Sequence, residues 1–237
     1  MIIPKTTGIF VCPADDNQTD LLLRFPYHLL AEWTCFIASL ILLKNQWSPI
    51  ALLTKIYLFL VVFVETICRY VIIYNNQWVY NFSMVAEFIF GMWVIPKLGD
   101  FKKARPITLA CFVLFFVCYI ADLIRHRGFD IYFDNSYTIG SAIMICLCVY
   151  YYYTIFFKEE YTTLSADPVF WFISGYLIYY TATTGFDTFF EELEKIPVGS
   201  DIPLGTVIMD VTNLILYGFW TFSFICLRNK RKYMLQL

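Results

Sequence analysis

Charged residues are scarce in this chain of 237 residues: 15% are Asp, Glu, Lys or Arg, whereas 59% are apolar. Soluble domains are about a quarter charged and about half apolar. A single core formed by so short a chain cannot hide the remaining Phe, Tyr, Leu and Ile, so this excess is expected to face lipid. The mean hydropathy of +0.63 agrees with a membrane protein.

Basic residues and histidines are also few. The formal net charge is −2 and no basic stripe runs along the sequence, which excludes a nucleic-acid-binding role. With only His28 and His126, the chain cannot build a three-histidine zinc hydrolase site. The last apolar stretch has no lysine for a retinal Schiff base, and no serine–histidine pair, phosphate loop or cofactor fingerprint occurs. We therefore expect no cofactor, and an enzymatic activity is not favoured.

The eight cysteines form no recognisable redox or metal-binding motif. No Cys-x-x-Cys pair occurs, and seven of the eight lie inside apolar runs, where cysteine behaves as a small hydrophobic residue. The eighth, Cys12, lies in a polar N-terminal segment. That segment lacks the basic-then-apolar order of a signal peptide, so we expect the first helix to act as the signal.

Seven apolar stretches have about the 20-residue length that a helix needs to cross a bilayer. They are Pro26–Leu43, Pro49–Tyr74, Trp78–Lys97, Pro106–Ile124, Tyr137–Phe157, Pro168–Phe190 and Gly205–Leu227. The second, fourth and sixth begin with proline, whose missing N–H costs nothing at the start of a helix. The sequence therefore predicts an all-α, polytopic membrane protein with a seven-helix transmembrane domain at 26–227. An extracytoplasmic segment (1–25) and a basic cytoplasmic tail (228–237) flank this domain.

The distribution of basic residues predicts the orientation. Ten lie on the side that holds the C-terminus: Lys44, Lys97, Lys102, Lys103, Arg105, Lys158, Arg228, Lys230, Arg231 and Lys232. Five lie on the opposite side: Lys5, Arg24, Arg125, Arg127 and Lys195. Because cytoplasmic loops are enriched in Lys and Arg, we predict an N-terminus outside and a C-terminus in the cytoplasm. The expected location is the inner membrane of a cell, which the chain crosses several times.

Tyrosine and tryptophan are expected to form belts at the two membrane surfaces. The residues assigned to these belts are Trp47, Tyr74, Trp78, Tyr137, Tyr161, Trp171 and the run Tyr150–Tyr153. No internal repeat is visible, so the sequence does not support an inverted-repeat transporter fold.

Ionisable residues inside the predicted spans indicate a site. Charged side chains in a membrane usually face a cavity or a partner, and here they concentrate in the predicted outer half. Spacings of three to four residues place them on common helix faces with tyrosine and asparagine. The predicted ligand-binding cleft contains Glu32, Glu65, Arg69, Glu87, Tyr180, Asp187, Asp210 and Asn213. The alternative is that these residues only hydrogen-bond the helices to one another.

The two deepest carboxylates are predicted to share one cation. Glu65 and Arg69 are one helical turn apart, whereas Glu87 has no basic residue at this spacing on its own helix. The second and third helices are joined by a short loop and must be antiparallel neighbours. We therefore expect a Glu65–Arg69–Glu87 cluster at the centre of the cleft; the alternative is that Glu87 does not reach Arg69 and is protonated by desolvation.

A metal site is a further alternative. His28 with Glu32, and Asp122 with His126, are each four residues apart, so each pair lies on one helix face. If the two pairs converged, they would offer ligands to a metal ion. The competing interpretation is that both histidines are polar residues at the membrane surface.

Three stretches resemble a known group of proteins: Asn81–Phe88 (NFSMVAEF), Asp167–Tyr180 (DPVFWFISGYLIYY) and Asn213–Tyr217 (NLILY), the last followed by a basic tail. The chain resembles an uncharacterised family of small seven-helix bacterial inner-membrane proteins. Its layout is similar to the membrane part of seven-helix bacterial sensor proteins. This resemblance implies a fold and a location. Unlike those sensors, the chain has about ten residues after its last helix and no kinase or cyclase domain.

These observations favour a sensory or regulatory module that binds a small ligand in the outer cleft. Its partners would be the lipid bilayer and a separate cytoplasmic or membrane signalling protein, with the basic segments Lys97–Arg105 and Arg228–Lys232 as the contact surface. The competing interpretation of these segments is topology-setting charge attracted to anionic lipid. Three other functions stay open: a proton- or cation-coupled transporter titrating Glu65 and Glu87, a membrane-embedded metal-dependent enzyme, and a structural subunit of a membrane complex.

Overall fold

The structure, a computed structural model, describes residues 27–44, 48–72, 75–99, 101, 105–157, 164–189, 196–198 and 202–234. Several predicted features therefore lie outside the described residues. They are the N-terminal segment 1–25 with Lys5, Cys12 and Arg24, the loop residues Trp47, Tyr74, Lys102, Lys103, Lys158, Tyr161 and Lys195, and the side chains of Arg105, Asp187, Arg231 and Lys232.

Seven α-helices make up almost all of the described part of the chain. They are α1 (Tyr27–Leu42), α2 (Pro49–Tyr70), α3 (Gln77–Leu98), α4 (Arg105–His126), α5 (Asp134–Phe156), α6 (Pro168–Thr188) and α7 (Leu204–Met234). A short 3₁₀ helix precedes α6, and two-residue strands β1 (Pro197–Val198) and β2 (Ile202–Pro203) pair in an antiparallel ladder before α7. The all-α prediction is confirmed, and each helix corresponds to one predicted stretch.

Five of these helices are long and apolar enough to cross a membrane. They are α2, α3, Pro106–His126 of α4, α5, and Leu204–Lys230 of α7. The described part of α1 is apolar but only 16 residues long. In α6, which has 21 residues, tyrosines and threonines lower the hydropathy. The chain is therefore a multi-pass membrane protein with at least these five candidate spans.

The helix starts follow from local chemistry. The Ser48 side chain accepts the backbone N–H of Ala51 at 3.2 Å, which caps α2 immediately before its first-position proline. Asp167 caps α6 in the same way, accepting the N–H of Val169 at 3.4 Å. The predicted starts of α2 and α6 are confirmed. α4 begins one residue before its predicted start, at Arg105, and α7 continues beyond its predicted end to Met234.

Six helices form a closed ring, and the seventh lies outside it. Around the ring the order is α1, α2, α3, α5, α6, α7 and back to α1, while α4 packs on the outer surface of α3 and α5. We refer to the side of the bundle where α1, α3, α5 and α7 begin as the N-terminal side, and to the opposite side as the C-terminal side. α6 and α7 pack closely at Gly175, where a methyl group would lie 3.3 Å from the carbonyl oxygen of Leu216.

The outer surface of α4 has the composition of a lipid-facing helix. Leu109, Val113, Val117 and Ile124 are 65%, 56%, 58% and 71% exposed, and all four are apolar. A soluble protein rarely exposes such a continuous apolar surface. Contact with the lipid bilayer explains it.

Buried polar side chains fasten the helix connections. The side chain of Asn81 in α3 donates to the carbonyl oxygens of Phe129 (3.0 Å) and Ile131 (2.9 Å) and accepts the N–H of Phe133 at 3.1 Å. Asn81 is fully buried, and the hydroxyl of Tyr119 donates to the backbone carbonyl oxygen of Asn81 at 3.2 Å. One side chain therefore satisfies three backbone groups of the loop between α4 and α5.

Part of the predicted aromatic belt is wrong. Trp78 is 43% exposed, as expected, but Tyr137 is only 4% exposed and faces the interior. In the run Tyr150–Tyr153, the two outer residues are exposed, whereas Tyr151 is buried and donates to Asp167 at 3.3 Å. Tyr152 is joined to Ser174 by a hydrogen bond of 2.5 Å. A tyrosine satisfies its hydroxyl either at the membrane surface or on a buried partner, so its residue type alone does not fix its position.

Candidate functional site

A polar cavity occupies the N-terminal side of the ring. Residues of α1, α2, α3, α5, α6 and α7 line it, together with Tyr132 from the loop before α5. Its carboxylates are Glu32, Glu65 and Glu87, one from each of the first three helices. The cavity has a volume of about 90 Å³. Because about 10–15 Å³ holds one water molecule, it has room for several waters or one small organic molecule.

Glu87 lies on the wall formed by α3 and is held from the far side of the ring. The hydroxyl of Tyr180 in α6 donates to Glu87 Oε1 at 2.7 Å. Tyr180 is fully buried, whereas Glu87 is partly buried and lines the cavity. The structure thus brings together two residues that the sequence assigned to the cleft, and it gives Glu87 a tyrosine donor where we expected Arg69.

Glu65 lies on the neighbouring wall formed by α2. Its Oε2 accepts a hydrogen bond of 3.3 Å from the hydroxyl of Tyr80 in α3, and Arg69 is close enough to interact with it electrostatically. Arg69 thus lies within electrostatic range of Glu65, and so does His28. Tyr80, which the sequence analysis did not assign to the site, completes the link between α2 and α3.

Glu32 in α1 has the smallest exposed fraction of the three lining carboxylates. It is 3% exposed, and its Oε2 has no hydrogen-bond partner among the described residues. One turn earlier, His28 Nδ1 and Asp210 Oδ1 are joined by a hydrogen bond of 2.6 Å, which links α1 to α7. Asp210, a predicted cleft residue, thus contacts the cavity through His28.

Asn213 and Asp187 complete the set of predicted cleft residues. Asn213 lines the cavity from α7, and its side-chain amide donates to the carbonyl oxygen of Met209 at 3.0 Å. Asp187 lies in the last turn of α6, and its side chain is outside the described residues.

Tyrosine dominates the rest of the wall. Seven tyrosines line the cavity: Tyr57, Tyr80, Tyr132, Tyr137, Tyr176, Tyr179 and Tyr217. Two of these tyrosines, Tyr57 and Tyr80, were not predicted to line the cleft, although their helical spacing could have indicated it. Tyr57 lies two turns before Glu65, and Tyr80 lies two turns before Glu87, so each shares a face with a predicted carboxylate. Tyr132 lies in a loop and has no such spacing signal.

The four residues of the alternative metal site do not come together. His28 pairs with Asp210, whereas Asp122 accepts from Ser136 N (2.8 Å), Ser136 Oγ (2.6 Å) and Asn135 Nδ2 (2.8 Å) in the first turn of α5. His126 stacks on Phe133 with ring centroids 6.0 Å apart. Within the described ranges, no three His, Cys, Asp or Glu side chains are placed to hold a metal ion.

A second cavity lies on the C-terminal side of the same ring. It has a volume of about 220 Å³, and its lining is mainly apolar, with hydroxyl groups from Ser48, Thr54 and Ser223. Lys55, near this side, does not enter the lining; its Nζ donates to the carbonyl oxygen of Leu43 at 2.7 Å, at the end of α1. The two cavities therefore differ in polarity: carboxylates line the first, and mainly apolar side chains line the second.

Five aromatic residues separate the cavities, and we refer to Tyr57, Phe90, Phe172, Tyr176 and Trp220 as the aromatic cluster. Tyr57 stacks on Phe90 with centroids 4.2 Å apart, and Phe172 stacks on Trp220 at 4.5 Å. Trp220 is fully buried and also contacts Tyr57 and Tyr176. Tyr57 and Tyr176 line the polar cavity, whereas Phe172 lines the second cavity. The two cavities are therefore divided by packed rings.

No protein-family model matches the chain, and neither a curated protein nor a solved structure matches it. The likeness to small seven-helix bacterial membrane proteins therefore rests on the three sequence stretches alone. Two of those stretches have structural roles: Asn81 fastens a loop, and Asp167 caps α6.

Proposed function

We propose that this chain is a sensory or regulatory membrane module, which binds a small ligand in the polar cavity and acts through a separate partner protein. In this proposal all seven helices cross the inner membrane of a bacterial cell. The N-terminal side faces outward and the C-terminal side faces the cytoplasm, as the ten-to-five distribution of basic residues favours.

The observation that carries the proposal is the closure of the polar cavity by the aromatic cluster. Trp220 is fully buried between residues that line the two cavities, so a ligand entering from the N-terminal side meets packed rings. A site that is polar, enclosed and closed on one side favours binding over passage.

The geometry of α7 supports a route from the cavity to a partner. Asn213 and Tyr217 line the cavity, and Arg228 and Lys230 are exposed near the other end of the same uninterrupted helix. At about 1.5 Å per residue, Asn213 and Arg228 are roughly 22 Å apart along the axis. A shift of α7 upon ligand binding would therefore move the basic end, which is the proposed contact surface for the partner.

A cation-coupled transporter is the second candidate, and the second cavity is the observation that favours it. Transport through a fixed site requires access from both sides in turn, and the two cavities face opposite sides of one aromatic cluster. This candidate requires Trp220 and its neighbours to move apart during each cycle.

Binding and flux measurements on the same protein separate the two candidates. The full chain is reconstituted in nanodiscs and in liposomes, with methylammonium, acetate and glycerol as cationic, anionic and neutral probes. A sensor is expected to bind one probe, to change hydrogen exchange near Arg228, and to give no flux above protein-free liposomes. Saturable flux of the bound probe would overturn the sensor proposal in favour of the transporter.

The orientation is tested in intact cells. A fluorescent reporter that folds only in the cytoplasm is expected to be active when fused after Leu237. A cysteine at Asn76 is expected to react with a membrane-impermeant thiol reagent. Reaction of Lys102→Cys with the same reagent in intact cells would reverse the proposed topology.

A further inference from the structure

One carboxylate oxygen beside the polar cavity is both fully buried and without a hydrogen-bond partner among the described residues. Glu87 accepts from Tyr180, Glu65 accepts from Tyr80 and is next to Arg69, and Asp210 is bonded to His28. Oε2 of Glu32 has no hydrogen-bond partner among the described residues, although Glu32 is only 3% exposed. A buried carboxylate without a partner is costly unless something else supplies a positive charge or a proton.

A second buried polar atom belongs to a residue that lines the same cavity. The hydroxyl of Tyr176 also has no hydrogen-bond partner in the described part of the chain, and Tyr176 is 1% exposed. Tyr176 and Glu32 both line the cavity, from α6 and α1 respectively. The wall thus offers one carboxylate oxygen and one hydroxyl oxygen as acceptors for a ligand that carries N–H donors.

The remainder of the wall has the chemistry that binds organic cations. Seven tyrosines line the cavity, and Tyr57 and Tyr217 lie within electrostatic range of both Glu32 and Glu87. Aromatic rings attract ammonium groups through their negative faces, most strongly where water is excluded. An anionic ligand would meet three glutamates, whereas a neutral ligand would bring no positive charge to the unpaired Oε2 of Glu32.

A bare metal ion fits the cavity less well than an organic cation. No cluster of three or more His, Cys, Asp and Glu side chains suited to a metal ion occurs among the residues that the structure describes. The three glutamates lie on three helices, and two of them are already bonded to tyrosine hydroxyls. The volume of about 90 Å³ suits a small molecule with few heavy atoms.

We propose that the polar cavity binds a small organic cation of the alkylammonium class, with Glu32 as its counter-ion and the tyrosine rings as its apolar wall. This inference rests on the proposed ligand-binding function and specifies the class of ligand. Glu32 receives the N–H donors of the ammonium group, and the tyrosine rings enclose its alkyl carbons.

The test uses the full chain in nanodiscs and measures binding of methylammonium and dimethylammonium, which both carry N–H donors, by calorimetry. Sodium chloride, sodium acetate and glycerol serve as comparison probes, with ionic strength held constant. We expect an alkylammonium ion to bind, and Glu32→Gln to weaken its binding by more than about ten-fold. The control variant, Asp130→Asn, makes the same acid-to-amide change at an exposed position and is expected to bind normally.

A second pair of variants keeps the test decisive if Glu32→Gln does not fold. Tyr217→Phe retains the aromatic ring and is expected to retain binding, whereas Tyr217→Leu removes the ring and is expected to weaken it. Equal alkylammonium binding by Glu32→Gln and the parent would overturn the assignment of Glu32. Equal binding of sodium and alkylammonium ions would overturn the preference for an organic cation.

The outcomes also separate this inference from the proposed function. Binding of acetate or glycerol in the cavity, without alkylammonium binding, would overturn the ligand class and leave the ligand-binding module intact. If no probe of any charge binds to the folded protein, the alkylammonium assignment and the sensor proposal both fail.

Discussion

The hydroxyl of Tyr180 donates a hydrogen bond of 2.7 Å to Oε1 of Glu87, which joins α6 to α3 across the interior of the ring. The two residues are 93 positions apart in the sequence, and their helices are not adjacent in the ring order. Phe88 of α3 also stacks on Tyr180, with ring centroids 5.8 Å apart. A hydrogen bond and an aromatic contact therefore connect two helices that are not neighbours in the ring.

We expect Tyr180→Phe to destabilise the protein, because Glu87 then loses the donor that the structure gives it. The loss is estimated at roughly 1–2 kcal/mol, since bonds to charged groups are strong but hydrogen bonds within membranes are modest. Thermal melts in detergent measure it. Tyr153→Phe is the control, because Tyr153 is 59% exposed. Equal melting temperatures for the two variants would show that the Tyr180–Glu87 bond contributes nothing.

Arg69→Ala is expected to lower the melting temperature more than Glu87→Gln does. Arg69 interacts electrostatically with Glu65, whose other partners are His28 and the 3.3 Å hydrogen bond from Tyr80. A buried acid without its counter-charge is strongly destabilising. Glutamine at position 87 still offers a carbonyl oxygen to Tyr180. An Arg69→Ala protein that melts like the parent would remove the Glu65–Arg69 pair from the account of the site.

Asn81→Leu is expected to release the loop between α4 and α5. Leucine has a similar volume but leaves the backbone groups of Phe129, Ile131 and Phe133 without their side-chain partner. Each unsatisfied buried group costs roughly 1–3 kcal/mol. Proteolysis within residues 127–133 and a lower melting temperature are the expected results. Asp130→Ala, which removes only an exposed bond of 3.3 Å in the same loop, should leave both unchanged.

The protein is expected to contain no stoichiometric zinc. His28 and Asp122 lie in separate hydrogen-bonded groups, one linking α1 to α7 and the other capping α5. Elemental analysis of protein purified without chelators measures the metal content. Near-stoichiometric zinc that disappears in a His28→Ala/His126→Ala double variant would contradict this expectation and revive the enzyme hypothesis.

Much of the polar site could be predicted from helical spacing. Within each helix, residues three or four apart share a face, which grouped the ionisable residues with other polar residues. Glu32, Glu65, Glu87 and Asn213, which lie on four helices, all line one cavity. The partner of Glu87 could not be predicted, since Tyr180 lies on a helix that is distant both in sequence and in ring order. Helical spacing also could not predict that Tyr132 lines the cavity, because its position depends on the path of a loop.

The burial of the consecutive tyrosines in α5 could not be predicted from the sequence. Tyr150 to Tyr153 are identical in type and consecutive, yet Tyr151 is 3% exposed and Tyr153 is 59% exposed. Tyr151 is hydrogen-bonded to Asp167 and Tyr152 to Ser174, and both partners belong to the segment that forms α6 and its N-terminal cap. A hydroxyl on an aromatic ring is equally suited to a membrane surface and to a buried acceptor, so only the position of the neighbouring helix decides.

The sequence by itself determined that this chain forms seven apolar helices, because their length and composition are those that lipid solvates and because proline and capping residues mark their starts. It also placed the carboxylates on helix faces. Only the tertiary structure decided that six helices close a ring with α4 outside, and which side chains meet across it. The physical reason is that helices which are apolar all round carry little contrast between a lipid-facing and a protein-facing surface. Their neighbours are chosen by shape and by a few buried hydrogen bonds, which exist only once distant segments are packed together.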